Sequence, residues 1–465
     1  MWRFFLLFAL SLPLAVQAQE AGQVVVDTIE IKGDSRTRVN TILRELTFSQ
    51  GDTIEISELP ETLERNRRQV LNLSLFTRVG INVGKWDDRR GRISVVISVS
   101  EAWYIYPFPI FELADRNFNI WWVEQNRSFD RVNFGVRFFH INFTGRGDVV
   151  KLISQLGYTQ KFELQYLLPS FNKSQTLGLR ANFFYSRNKE IFHNTIDNRQ
   201  AFERVNDFQL QRRRITTALI YRPKIYTLHE WGAEYYHNST TPFVAQELNP
   251  DFFLDGRTSQ RYLSLKYAFS IDRRDYRPYP LKGFHFRTTL VKDGLGVYGD
   301  RDALTLTTTY ANYAPLGRRF TVETILKGHL FFIRKQQPFY NSRALGFEPD
   351  FLRGYEYYLV DGQDYGYVKS SFRYEIFNGE INYGRYMPLK KMRIMPLRVY
   401  LSVNNDLGYV YNPHYSDGNS MANRLLWGRG IGLDLITYND KVWQIQYTFN
   451  HLGEAGLFLH YKFIL

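Results

Sequence analysis

The sequence predicts a transmembrane antiparallel β-barrel preceded by a small α+β domain. Aromatic residues make up 17% of the 465 residues, although the mean hydropathy is only −0.35. Short segments that alternate between apolar and polar residues fill the chain from residue 103 onward. A barrel with an apolar outer face, a polar lumen and aromatic girdles has this composition and periodicity. An array of soluble β-sandwiches is the alternative, but the number of such segments without intervening helices favours a closed barrel.

Residues 1–18 have the features of a secretory signal peptide. Arg3 supplies the positive charge, an apolar run extends from Phe4 to Ala15, and small residues occupy the cleavage positions in Val16-Gln17-Ala18. The run is too short to span a membrane as a helix, although an N-terminal anchor helix is the alternative. We therefore expect an exported protein.

Residues 19–102 are predicted to form the small domain, in the order β-α-α-β-β. Val24–Lys32 is the first strand, and a second helix is expected to begin near Ser57. Two later strands follow, and together they predict a three-stranded sheet under two helices. The positions behind this prediction are Val39, Ile42, Leu43 and Leu46 for the first helix (N-cap Asp34, Ser35 or Thr37), Leu59, Leu63, Val70 and Leu71 for the second, and Val79–Val83 and Ile93–Val99 for the strands.

Residues 103–465 are predicted to form the barrel, with no helix. The clearest alternation has apolar residues on one face and polar residues or glycine on the other. The length of this region accommodates roughly 14 to 18 strands of about ten residues with their turns. The apolar sets are Val132, Phe134, Val136 and Phe138; Phe162, Leu164, Tyr166 and Leu168; Leu177, Leu179, Ala181 and Phe183; and Leu263, Leu265, Tyr267 and Phe269.

Two prolines distinguish the first barrel segment, which runs near Tyr104–Ala114. Pro107 and Pro109 cannot donate ladder hydrogen bonds, so a strand that contains them belongs at a sheet edge. The last strand is predicted at Gly456–Leu465, with Phe463 and Leu465 facing lipid. If the prolines lie in the first strand, they predict a weakened seam between the first and last strands; if they lie in a linker before it, they carry no such meaning.

Composition and motifs exclude several kinds of chemistry. There is no cysteine, which excludes disulfides, thiolate metal sites and a lipidated N-terminal cysteine. The net charge of +13 is better explained by a basic lumen or by anionic lipid headgroups than by nucleic acid, because the protein is exported. The sequence lacks His-Glu-x-x-His and Gly-x-Ser-x-Gly motifs, and turn chemistry explains Gly33-Asp34-Ser35. We therefore expect no enzymatic activity, no metal and no cofactor.

Several stretches resemble a known family. Residues 19–102, including Leu75-Phe76-Thr77-Arg78-Val79, resemble a POTRA domain. The barrel resembles the BamA/TamA-type outer-membrane assembly and translocation superfamily, also called bacterial surface antigen proteins. The order and spacing of four barrel motifs carry this resemblance: Asn142–Asp148 (the early hairpin), Asp272–Asp275 followed by Pro280 and Gly283 (the mid-barrel turn), Leu352-Arg353-Gly354-Tyr355 (the inward loop) and Asp406–Val410 (a strand end).

The resemblance implies a sixteen-stranded barrel in which five strands follow the inward loop. Five alternating segments do follow Tyr355: 367–376, 397–405, 427–438, 442–449 and 456–465. The resemblance also implies that Arg353, with Gly354 and Tyr355, locks the loop to acidic groups on the barrel wall, where an arginine fork holds a carboxylate in a bidentate manner.

Of the two acidic wall positions that the family pairs with the loop arginine, this sequence matches only one. Asp406 matches one acidic position of the family. The other falls at Ser371, in Ser371-Phe372-Arg373, so Glu375 on the same face is a candidate substitute, and Asp434 is a weaker one.

Three functions are compatible with the sequence. In the first, which the resemblance implies, the protein assists insertion or translocation of proteins, and an extended client polypeptide pairs with the POTRA sheet as an added strand. The second is a passive channel or dedicated transporter, and the third is a structural outer-membrane protein. We expect a location in the outer membrane of a Gram-negative bacterium with the POTRA domain in the periplasm, in contact with outer-membrane lipids. A homo-oligomer is compatible with the sequence.

Overall fold

A computed structural model describes residues 22–33, 36–115, 118–347, 349–387, 393–437 and 441–462. The expected signal peptide and the residues Asp34, Ser35, Phe463 and Leu465 lie outside this described part of the chain. Among the described residues, every helix is too short or too polar to cross a membrane.

The N-terminal domain is a four-stranded sheet packed against two helices. The sheet order is β2-β1-β4-β3, with β1 parallel to β4. The predicted order is correct except for β2, a three-residue strand between the helices that pairs with the start of β1. Its elements are β1 Gln23–Lys32, α1 Val39–Leu43, β2 Thr53–Glu55, α2 Leu59–Leu71, β3 Phe76–Asp87 and β4 Arg92–Glu101. The alternating apolar residues of β1 and β4, including Val26, Val95 and Ile97, are fully buried under Ile42 and Val70.

The helix starts differ from the prediction. Helix α1 begins after Arg38, which makes no side-chain cap, and α2 begins after Glu58 instead of Ser57. Thr37 does not cap α1, because its hydroxyl donates a hydrogen bond to Glu101 at 2.8 Å. This residue is therefore used for tertiary packing, which helix-cap rules do not anticipate.

The barrel consists of sixteen antiparallel strands, which confirms the predicted number and fold class. All five strands expected after the inward loop are present. The barrel strands are β5 Ile105–Leu113, β6 Val132–Ile141, β7 Val149–Gly157, β8 Thr159–Leu168, β9 Leu177–Asn188, β12 Leu210–Lys224, β13 Thr227–Thr240, β14 Ser259–Asp272, β15 Gly283–Asp293, β16 Ala303–Pro315, β17 Phe320–Phe331, β20 Asp364–Asn382, β21 Ile394–Tyr411, β22 Leu425–Ile436, β23 Val442–Phe449 and β24 Ala455–Lys462.

Side chains alternate between lumen and outer wall along these strands. In β21, Ser402, Asn404 and Asp406 are buried in the lumen, whereas Leu401 and Val403 are exposed on the outside. Exposed leucine and valine facing outward, with polar residues facing inward, is the arrangement that a lipid environment stabilises. The period of two that identified the strands thus also assigned their faces.

Loops connect the strands at two ends of the barrel. We call the end beside the N-terminal domain the near end and the opposite end the far end. Strand β5, the first barrel strand, runs from the near end to the far end. The odd-numbered barrel strands therefore run in this direction, and the even-numbered strands run from the far end back to the near end. Far-end loops contain a helix, α3 Phe118–Val123, and two hairpins, β10 Glu190–Ile196 with β11 Arg199–Arg204 and β18 Arg343–Leu345 with β19 Val360–Asp361. The prediction that no helix follows residue 103 is therefore wrong at α3.

Candidate functional site

The inward loop, residues 332–363 between β17 and β20, is fixed to the barrel wall by Arg353. Its Nε donates to both carboxylate oxygens of Asp406, at 3.0 and 2.9 Å, and Nη2 also bonds that carboxylate. The backbone N–H of Arg353 donates to Asp406 at 3.0 Å as well. Asp406 is fully buried, so the ion pair is screened very little by solvent. A buried, bidentate, charge-assisted contact of this kind belongs to the strong class of protein hydrogen bonds.

The rest of the Arg353 guanidinium contacts neutral groups. Nη1 donates to Ser371 Oγ at 2.8 Å and to Asn404, and Nη2 donates to the carbonyl oxygen of Ser370 at 3.2 Å. Serine thus occupies the position where the resemblance implied a glutamate. One carboxylate and three neutral acceptors satisfy the fork, because the single negative charge of Asp406 already balances the single positive charge of Arg353.

Glu375 and Asp434 have other partners. The expectation that Glu375 substitutes for the family glutamate is not met, since Glu375 accepts a hydrogen bond from Tyr400 at 2.8 Å. Asp434 accepts from Tyr279 at 2.8 Å and from Gln444 at 2.9 Å. Arg373 pairs with Glu323. These side chains organise the neighbouring part of the lumen instead of holding Arg353.

Glycines allow the loop backbone to lie directly against the wall. Gly354 has φ +89°, and a Cβ there would lie 2.5 Å from the carbonyl oxygen of Phe449. A Cβ on Gly428 of β22 would lie 1.7 Å from the Arg353 carbonyl oxygen. Either substitution would push the loop off the wall. Tyr355 is buried between these contacts, and its hydroxyl bonds the backbone of Trp427 and the ring of His451.

A second segment enters the lumen from the near end. This near-end turn, residues 273–282, follows the Asp272-Arg273-Arg274-Asp275 motif, in which Arg274 clamps Asp272 through two contacts of 2.8 Å. At its tip Tyr279 is buried, with its ring 4.9 Å from that of Tyr400. The Arg373 guanidinium lies 4.5 Å over the Tyr279 ring. The inward loop and the near-end turn therefore enter the lumen from opposite ends. A cavity of about 490 Å³ lies beside the inward loop, and Arg353, Arg373 and Asp434 are among the residues that line it.

Pro107 and Pro109 lie within β5, not in a preceding linker. Tyr104 accepts from the Ile141 N–H and Ala114 donates to Arg131, both at 2.8 Å, at the two ends of an unshifted register between β5 and β6. Because backbone polar groups alternate in direction along a strand, even-numbered residues bond β6 and odd-numbered residues face the seam. Both prolines therefore remove a donor from the seam edge of β5.

Within residues 105–113 and 455–462, no backbone ladder joins β5 to β24. Helix α3, in the loop after β5, instead contacts the last strand at the far end. Asn119 Nδ2 donates to the Leu457 carbonyl oxygen at 2.9 Å and to the Tyr357 hydroxyl of the inward loop at 3.0 Å. One side chain thus connects the first loop, the inward loop and the seam-facing edge of β24.

Comparison with known proteins identifies the family. Residues 142–437 match the family model described as the Omp85 superfamily domain. The chain belongs to the Omp85 superfamily. Residues 24–102 match the model for the POTRA domain, described as surface antigen variable number repeat. This Omp85 protein therefore has a single POTRA domain among the matched regions.

Two solved structures share the Omp85 fold with this chain. BamA from Haemophilus ducreyi lacking POTRA domains 1–3 has 14% sequence identity and a TM-score of 0.53, covering 94% of this chain and 83% of that one. CdiB from Escherichia coli has 12% identity and a TM-score of 0.54, covering 94% and 75%. At these identities the likeness establishes the fold alone. No curated protein matches the sequence.

The early-hairpin motif of this Omp85 chain holds the POTRA domain. Asn142 is fully buried and donates to the Thr37 hydroxyl at 2.9 Å. Gly145, at φ +82°, lies so close to the POTRA backbone that a Cβ would meet the Arg36 carbonyl oxygen at 2.4 Å. A separate ion pair joins Arg222 of β12 to the buried Glu45, with one contact of 2.7 Å. The POTRA domain is therefore docked on the near end through several independent contacts.

Sequence reasoning missed Asn119 of the Omp85 chain and did not predict the contacts that Asn142 and Gly145 make with the POTRA domain. Asn119 lies in the apolar run Phe118–Val123, whose lack of alternation was the available signal for a helix. Asn142 and Gly145 were recognised as a family motif, but their POTRA contacts cross more than 100 residues of sequence. Among the described residues, no three His, Cys, Asp or Glu side chains are placed to hold a metal ion.

Proposed function

We propose that this Omp85 protein assists the insertion or translocation of proteins at the outer membrane, with its POTRA domain in the periplasm. The observation that carries the proposal is the seam, where two prolines in β5 reduce the hydrogen-bonding capacity of one edge. The inward-loop lock and the near-end turn support the same proposal, because they keep the rest of the barrel rigid around that edge.

The POTRA sheet supplies an edge for client capture. Strand β3 is twelve residues long and pairs on one side with β4 as the outermost strand of its sheet. An extended polypeptide that adds to such an edge gains main-chain hydrogen bonds with little requirement for a specific sequence. The opposite edge is the three-residue β2, which offers far fewer bonds. We therefore assign client binding to β3.

The seam then offers the next pairing surface. The backbone N–H and C=O groups of the odd-numbered residues of β24 point toward the seam, as the hydrogen bond from Asn119 to the Leu457 carbonyl oxygen indicates. This edge contains no proline, so a client strand can pair with β24 more completely than β5 can. Release of Asn119 is the step that would expose it. The folding free energy of the client would drive the exchange, which therefore requires no nucleotide.

Depletion in the native host tests the function directly. Every outer-membrane protein would be quantified, together with its transcript. We expect one defined set of outer-membrane proteins to fall while their transcripts persist. An unchanged outer-membrane proteome would overturn the assembly function and leave a channel or structural role.

A chemical cross-link tests the seam. Because the chain has no cysteine, the double variant Asn119→Cys with Leu457→Cys has the only thiols. After treatment with a short bis-maleimide, we expect client insertion into liposomes to be lost while folding is retained. Each single-cysteine variant is the matched control. Full insertion activity in the cross-linked protein would show that this seam does not open.

A further inference from the structure

Three basic side chains form a row on the outer wall near the far end of the barrel. Arg213 of β12 is directly opposite His237 of β13, and His237 is directly opposite Arg261 of β14. Arg213 and Arg261 are exposed. Their neighbours turn inward: Arg212, for example, donates to the Ser186 hydroxyl at 2.8 Å. We call Arg213, His237 and Arg261 the basic row.

The basic row is not neutralised by the protein. Among the described residues, no carboxylate forms an ion pair with either guanidinium within 4.0 Å. The Asp300 carboxylate, which lies nearby, accepts from the backbone N–H of Arg261 at 2.7 Å. Arg213 and Arg261 lie on either side of His237 on one face of the sheet, and their like charges repel one another. This arrangement is therefore more stable when an anion binds between them.

Aromatic rings flank the row at both ends. The Arg213 guanidinium lies 5.9 Å from the ring of Tyr185, and that of Arg261 lies 5.4 Å from the ring of Tyr298. Tyrosine is enriched where a barrel wall passes from hydrocarbon to headgroups. Both arginines are exposed, so their N–H donors can reach an external acceptor.

The position of the row matches the edge of the hydrocarbon layer. On β12 the outward residues that follow Arg213 toward the near end are Ile215, Thr217, Leu219 and Tyr221. On β14, Leu263, Leu265 and Tyr267 follow Arg261. The nine residues from Arg213 to Tyr221 span about 26 Å along the strand, or about 20 Å along the membrane normal at the usual tilt. Arg213 and Arg261 therefore lie at the far-end boundary of the band of uncharged outward-facing residues.

We propose that the basic row binds the phosphate groups of lipid headgroups in the far-end leaflet of the outer membrane. Arginine matches phosphate geometry through two parallel N–H donors, and His237 lies between the two guanidinium groups. The acyl chains of such a lipid would lie against the apolar residues below the row. This inference rests on the membrane placement in the proposed function, but it does not depend on client handling.

Binding of lipid A to the full-length protein in zwitterionic detergent tests the inference without any client. We expect lipid A to bind and to raise the temperature at which the barrel unfolds on semi-native gels. Removing both charges in R213Q/R261Q should weaken binding roughly thirtyfold, since each arginine near an anionic membrane surface contributes about one factor of five. The matched control is R318Q/R319Q, which removes two exposed arginines from a near-end turn.

The possible outcomes distinguish a loss of lipid binding from a loss of folding. Wild-type affinity in R213Q/R261Q, or an equal loss in the control, would overturn the proposal. If millimolar inorganic phosphate displaces lipid A completely, the basic row binds a free anion and not a lipid. If R213Q/R261Q does not fold, the salt dependence of wild-type binding decides, because binding that is insensitive to NaCl excludes an exposed ionic contact. Loss of lipid binding with normal client insertion would leave the proposed function intact.

Discussion

Arg353 makes the buried ion pair that attaches the inward loop to β21, in addition to the contacts of Tyr355 and Tyr358 with other parts of the wall. Substitution Arg353→Ala leaves the Asp406 carboxylate buried without its cation, and breaking a buried pair in this way typically costs about 3–5 kcal/mol. We expect the barrel of this variant to unfold at a lower temperature on semi-native gels. The loop should also become accessible to protease.

Arg334 provides a control on the same loop. It pairs with Asp364 but is 55% exposed, so its loss should cost at most about 1 kcal/mol. Equal heat sensitivity of Arg353→Ala and Arg334→Ala would mean that the burial of the Asp406 pair is unimportant for holding the loop.

Glu64 makes the stability of the POTRA domain depend on pH. Its hydrogen bond to Arg67, with a second to Arg68, lowers the pKa of the Glu64 carboxyl from 4.5 to about 2. Because the folded state binds the proton more weakly than the unfolded state, the contribution is complete above pH 4.5 and is lost as pH falls toward 2. These side chains are 34–43% exposed, so the effect is within about 1 kcal/mol.

The corresponding measurement compares wild type with Glu64→Gln. Amide hydrogen exchange of helix α2 should be faster in the variant at pH 6, and the difference should shrink as the pH is lowered through 3. A difference that is equal at both pH values would assign the effect to packing and not to charge. Since both proteins are compared at each pH, the intrinsic pH dependence of exchange cancels.

The residues that bind Arg353 show how far sequence can go at this scale. Asp406 is predictable because the family motif fixes its position on β21. The same motif points to position 371, but it implies a glutamate where this chain has Ser371. Asn404 has no such signal, since a neutral acceptor gives no charge pattern. The choice between Ser371 and Glu375 depends on their distances from a loop that enters the lumen from elsewhere. Glu375 has the right charge and face but bonds Tyr400 instead.

At the scale of elements, the prolines of β5 are predicted to weaken the seam. Substitution of both Pro107 and Pro109 by valine restores two N–H donors at the edge that faces β24 and favours extended backbone. We expect this variant to resist heat better than wild type on semi-native gels and to insert clients more slowly. Pro396→Val in β21, away from the seam, is the control.

Two outcomes would contradict the role proposed for the β5 prolines at the seam. Faster client insertion in the valine variant would mean that the prolines impede the exchange instead of permitting it. Identical behaviour of Pro107→Val with Pro109→Val and of Pro396→Val would mean that the donors lost from β5 have no role specific to the seam.

Long strands were predictable, and short elements were not. Segments such as 162–168 alternate for long enough to establish a period of two, and lipid on one side with water on the other enforces that pattern. Helix α3 has six residues and β2 has three, so neither completes two periods. Their formation depends on tertiary contacts, such as those of Asn119 with Leu457 and Tyr357.

For the whole molecule, chain length allowed roughly 14 to 18 strands and the family resemblance implied sixteen, but the content of the lumen became evident only from the fold. The near-end turn approaches Asp434 and Arg373 although more than 90 residues separate them in sequence. The POTRA docking has the same character, because Arg222 and Glu45 are 177 residues apart. Such contacts leave no local period in the sequence.

The filled lumen argues against a permanently open channel. Arg353 anchors the segment that enters from the far end, and Tyr279 anchors the segment that enters from the near end. We expect wild-type protein in planar bilayers to conduct weakly. Tyr279→Ala and Arg353→Ala should each increase the frequency of open events, because each releases one plug.

Steady, wide conductance should require both substitutions, since either remaining plug still occludes the pathway in series. A wild-type protein that already conducts as widely as the double variant would favour the channel function over assembly. If the double variant keeps its heat-resistant barrel but stays closed, the lumen is occluded by other residues, and the two segments serve chiefly to brace the wall around the seam. The conductance measurements thus distinguish two roles for these segments. In one, they move to open a pore. In the other, they stabilise the fifteen paired strand contacts while the seam edge pairs with a client strand.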